Sequence, residues 1–107
     1  MITQDEVERA LEYLIKTAEE AATARSIRLH LEQFVKTTKA QCMAKHLDGS
    51  MTQAEVKALI DEDYLTALNG LKEAIHDDEK LRYLTEAAKI KVDVWRSLES
   101  SKRALGV

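Results

Sequence analysis

Apolar residues recur along this chain at spacings of three and four, which is the mark of helices with one face turned inward. An early stripe runs through Val7, Leu11, Leu14 with Ile15, and Ala18. A later one runs through Ile27, Leu31, Phe34 with Val35, and Cys42 with Met43. Proline is absent and only three glycines occur, so nothing forces an early break. The spacing predicts a first helix over about 4–46. The linker that follows, His46-Leu47-Asp48-Gly49-Ser50, holds an Asp-Gly turn signal, and Gly49 suits a left-handed position just past a helix end. So short a linker between long helices predicts an antiparallel hairpin.

The second segment, about 53–104, carries apolar positions Val56, Leu59, Ile60, Tyr64, Leu68, Leu71 and Ile75. Two stripes then run side by side: Leu81, Leu84, Ala88, Val92 and Trp95, and Tyr83, Ala87, Ile90, Val94 and Leu98. The phase slips between Ile75 and Leu81. Asn69-Gly70 and His76-Asp77-Asp78-Glu79 mark a kink or break near 69–79. One kinked helix and two shorter helices both fit that pattern. Two adjacent stripes make a face wider than one partner helix covers. The fold class is therefore all-α, a long coiled-coil-like helical hairpin in a single domain spanning 1–107; either the third segment folds back into a three-helix bundle or a homo-oligomer covers the wide face, and the homo-oligomer is the expectation.

Helix starts are written into the sequence. Ile2-Thr3-Gln4-Asp5-Glu6-Val7 and Met51-Thr52-Gln53-Ala54-Glu55-Val56 are two copies of one signal. In each, the threonine hydroxyl can accept from a free amide. The glutamate three residues on can reach back to the threonine N–H, and the flanking apolar residues can staple together.

Charge changes the picture by its distribution more than by its total of −3. Residues 1–24 carry −4, 25–47 carry +4, 48–80 carry −6 and 81–107 carry +3. Each long segment starts acidic and ends basic. Three readings stay open: complementation of helix dipoles, pairing of acidic with basic halves, and a basic surface for polyanions. Arg82, Lys89, Arg96 and Arg103 are seven apart and share one helical stripe, with Glu86 and Asp93 placed to form a ladder of ion pairs between them. Past Arg96 the acids thin out. Trp95-Arg96-Ser97-Leu98-Glu99-Ser100-Ser101-Lys102-Arg103 then combines bases, hydroxyls and an aromatic, the groups that hold phosphates and stack on bases. Trp95 itself lies on the apolar face, where a core position is the default.

The nucleic-acid candidates are Arg82, Lys89, Arg96, Lys102 and Arg103, with Lys36 and Lys39 as a second basic stretch. A rival reading makes acidic residues a docking surface for a host protein: Asp61, Glu62, Asp63, Asp77 and Asp78.

Catalytic signals are poor. Cys42 and His46, four apart, make half a zinc site with no second pair to complete it. No glycine-rich phosphate loop or nucleophile elbow occurs. The expectation is a chain with no enzymatic activity, no metal, no cofactor and no small-molecule substrate. The single cysteine fits a reducing cytoplasm, no signal peptide is visible, and no apolar run is long enough for a membrane span.

The stretch Val94-Trp95-Arg96-Ser97-Leu98-Glu99-Ser100-Ser101-Lys102-Arg103, with the segment around Tyr64 and the Ala/Glu/Lys-rich start, resembles small helical proteins encoded by phages and prophages. Some members of that group occur among recombination and replication genes. The resemblance implies a bacterial host cytoplasm and an accessory role beside DNA or a DNA-processing protein. It implies no catalytic residues.

Overall fold

A computed structural model describes residues 1–106. Three helices account for nearly all of them: α1 (Gln4–Ala44), α2 (Met51–Leu59) and α3 (Glu62–Ala104). No strand occurs among the described residues. The fold is an all-α helical hairpin. Its contacts divide into two compact units, Met1–Ala22 with Glu79 onward, and Thr23–Asp78.

In the unit formed by 23–78, ion pairs give the direction of the chains. Arg28 pairs with Asp78 at 3.1 Å, Lys39 with Glu55 at 3.2 Å and Lys45 with Asp61 at 3.0 Å. The start of this stretch of α1 meets Asp78 of α3 while its end meets Glu55 of α2 and Asp61 at the start of α3, so α1 and α3 run antiparallel. The buried positions are small: Val35, Thr38, Cys42, Ala54, Ala58, Ala67 and Ala74. Small side chains let helix axes approach closely. Large residues expected inside, among them Phe34, Val56, Leu59 and Ile60, stay exposed.

The unit formed by 1–22 and 79 onward is also antiparallel. Met1–Gln4 share a groove with Trp95, Glu99 and Lys102, while Ala10 and Tyr13 share one with Leu84 and Ala88. Val7, Ala10 and Ala88 are its buried apolar residues, and Leu11 and Ile15 of the expected stripe face outward.

The ends of the helices correct several expectations. The Thr3 signal forms as read: Thr3 N–H donates to Glu6 Oε2 at 3.2 Å, and Glu6 N–H donates to Thr3 Oγ1 at 3.2 Å. The second start lies two residues earlier than expected. Ser50 is the N-cap: Gln53 N–H donates to Ser50 Oγ at 3.1 Å, and Ser50 N–H donates to Gln53 Oε1 at 3.1 Å. Thr52 is thus inside α2, where it caps nothing. Gly49 has no positive φ; the left-handed glycine is Gly106, at φ 72°, which ends α3. A β-carbon on Gly49 would meet Gln53 Oε1 at 2.5 Å, so this glycine makes room for the capping glutamine.

The break also moves. It falls at Ile60 and Asp61, and α3 continues through 69–79 without interruption. Asp61 supplies the reason. Its carboxylate accepts from Asp63 N–H at 2.9 Å and its carbonyl from Leu65 N–H at 3.0 Å, which makes it the cap of α3. Gly70 costs the helix about 1 kcal/mol relative to alanine, which a long helix absorbs without breaking. Asp78 is buried against Arg28 and is not a cap.

Candidate nucleic-acid interface

The basic stripe on α3 depends on helical continuity. With no break at 69–79, Arg82, Lys89, Arg96 and Arg103 fall one above another at every second turn. Lys102 and Arg103 sit in the last turn, where cations are favoured by the free carbonyls of the helix end.

The expected ion-pair ladder does not form. Arg82 lies 3.7 Å from Glu79, one turn earlier, and Lys102 lies 3.4 Å from Glu99. Among the described residues, Glu86 and Asp93 make no ion pair, and neither do Lys89, Arg96 and Arg103. These side chains are exposed and long, so a neutralising geometry gains little over water. Arg96 and Arg103 line one open hollow together with Ser97, Ser100 and Ser101. Asp93 and Glu99 edge the same hollow, and Trp95 reaches it as a half-buried residue. The tryptophan is therefore neither sealed in a core nor fully displayed.

The other candidates lie in the unit formed by 23–78. Lys39 is tied to Glu55, and Lys36 is exposed with no ion pair among the described residues. The structure does not bring these two lysines into the α3 hollow, since that hollow is built from 93–103 alone.

The acidic candidates separate into two kinds. Asp61 caps α3 and holds Lys45, and Asp78 is buried against Arg28 at the opposite end of the unit. Both are internal supports. Glu62, Asp63 and Asp77 remain exposed, although Asp63 also lies 3.4 Å from Lys45.

A junction that the sequence did not announce joins buried Cys42, half-buried Asp61 and exposed Lys45. The lysine ammonium beside Asp61 and the Asp63 amide hold the Asp61 carboxyl below its usual range. The same carboxylate raises the Lys45 ammonium. Burial, then hydrogen bonding to Asp61, pushes the Cys42 thiol up. A thiol held protonated is a poor metal ligand and a poor nucleophile. Among the described residues, no group of three or more His, Cys, Asp or Glu is placed to hold a metal ion. No described helix is long and apolar enough to cross a membrane.

Comparison with known protein families, curated proteins and solved structures finds none that the chain matches.

Proposed function

We propose that this chain is a non-enzymatic, self-associating helical adaptor, of phage origin, that serves DNA recombination or replication by holding nucleic acid or a DNA-processing protein. The observation that carries the reading is the hollow near the end of α3. There two arginines without ion-pair partners among the described residues line one hollow with three serines, and Asp93 and Glu99 line it too. Guanidinium forks and hydroxyls are donors that match phosphate oxygens. Lys89 and Arg82 extend the same stripe along the helix and lengthen the track for a backbone. Trp95 at the edge offers part of an aromatic surface to an unpaired base. The rival reading, docking of a host protein on acidic residues, loses Asp61 and Asp78 to internal ion pairs and keeps only Glu62, Asp63 and Asp77.

The test is fluorescence anisotropy of labelled single- and double-stranded oligonucleotides at two salt concentrations. Binding that weakens steeply with salt is the expected result, because each neutralised phosphate releases counterion. Arg96→Glu with Arg103→Glu should abolish that binding and leave the helical circular dichroism unchanged. Absence of binding at low salt by folded protein would overturn the reading.

A further inference from the structure

The unit formed by 1–22 and 79 onward leaves a second apolar stripe uncovered. Tyr83 is 70% exposed, Ile90 58% and Val94 41%, with exposed Ala87 between them. The spacing is four, three, four, which is a heptad seam with Ala87 and Val94 at a and Tyr83 and Ile90 at d. Tyr83, Ala87, Ile90 and Val94 are exposed while neighbouring Ala88 is buried, so the chain itself does not cover the seam, although Ala87 also edges the groove that faces Ala10 and Tyr13.

Its flanks say what does. In this register Glu86 and Asp93 occupy g, and Leu84 and Lys91 occupy e. A parallel partner sets each g residue beside the e residue five positions further along the other helix. Glu86 then meets the partner copy's Lys91, and by symmetry the pair forms twice. An antiparallel partner instead sets the g edges together, with Glu86 and Asp93 facing like charges. Among the described residues neither Glu86 nor Lys91 makes an ion pair, so both are available. One seam position, Ala87, is also small where the helices must approach.

We infer that a second copy of this chain docks in parallel on the Tyr83–Val94 face of α3, with Glu86 of each copy paired to Lys91 of the other. This deepens the self-association in the reading above and gives it a surface and a direction.

Sedimentation of the full chain at tens of micromolar is the first measurement. A dimer is expected, and Ile90→Gln, an exposed change that leaves the fold intact, should return it to monomer. Glu86→Lys and Lys91→Glu should each weaken the dimer about tenfold, and the two together should restore it. Direction is read by Lys80→Cys, the a position one heptad before Ala87. Under mild oxidation it should cross-link in a parallel dimer, where the two cysteines adjoin, while buried Cys42 stays unreactive. A monomeric wild type, a dimer indifferent to Ile90→Gln, failure of the double charge exchange to restore binding, or no cross-link from Lys80→Cys would each overturn the inference. Failure to bind DNA would sink the preceding proposal and leave this one standing, because Arg96 and Arg103 lie outside the seam.

Discussion

Replacing Ser50 by alanine tests the least expected feature of the helix boundaries. The serine has extended backbone, φ −74° and ψ 162°, and its hydroxyl and the Gln53 side chain exchange hydrogen bonds with each other's amides at 3.1 Å. Ser50→Ala removes the acceptor for Gln53 N–H and loosens the glutamine that caps Ser50 N–H. Loss of such a cap costs about 1 kcal/mol, with a range of about 0.5–2. The site is exposed, so water replaces part of what is lost and keeps the figure near the centre of that range. Thr52→Ala is the matched control. Its hydroxyl caps nothing, and alanine has the higher helix propensity, so stability should change by no more than about 0.5 kcal/mol. The assay is urea unfolding followed by circular dichroism at fixed protein concentration, since an associating chain has concentration-dependent stability. A shifted midpoint at unchanged slope is expected for Ser50→Ala alone. If Thr52→Ala costs the kilocalorie and Ser50→Ala costs nothing, the helix starts where the sequence pattern placed it and the capping argument fails.

Other outcomes follow from the unit formed by 23–78. Arg28→Met strips the partner from a buried carboxylate, Asp78, and should cost about 3 kcal/mol by the same unfolding assay; adding Asp78→Asn should recover part of it. Thr38→Val should raise stability by about 1 kcal/mol, because the buried hydroxyl has no partner and the exchange conserves shape. A loss there would show that the hydroxyl is bonded. Asp61 has its carboxyl pKa lowered from 3.8, so its stabilisation is full above that value and disappears as pH falls through the lower folded value. Melting temperature against pH should therefore drop on the acid side, and Asp61→Asn should flatten that drop.

The long helices, the hairpin and the first cap were legible because they rest on local rules: period, turn chemistry and a Thr-x-x-Glu box. The second start was ambiguous for the same reason. Ser50-x-x-Gln53 and Thr52-x-x-Glu55 are both competent boxes, offset by two residues. The earlier one adds a backbone bond, Ala54 N–H to the Ser50 carbonyl at 3.0 Å. The break at Asp61 was hidden inside an apolar stripe, although three acids in a row at 61–63 do mark a helix start. The interior was misread most. Periodicity found the helical segments but placed the largest residues inside them, whereas close packing selects the smallest. Of the candidate site, the stripe was visible in the spacing. That Glu86 and Asp93 leave it unneutralised was not, because side-chain pairing on a solvated surface is decided by small energy differences.

The alanine interior reverses the usual map of mutational tolerance. In most domains the sensitive positions are leucines and isoleucines, and shrinking them does the damage. Here Ala58 is fully buried and Ala54 nearly so, while Ile15 and Ile60 stand in solvent. Enlargement is the injurious direction: Ala58→Leu forces helices apart at a cost of about 1–3 kcal/mol or more. Ile60→Thr should pass almost unnoticed. A saturation scan scored for folding would find its intolerant positions at the smallest residues, and would find freedom at many of the largest.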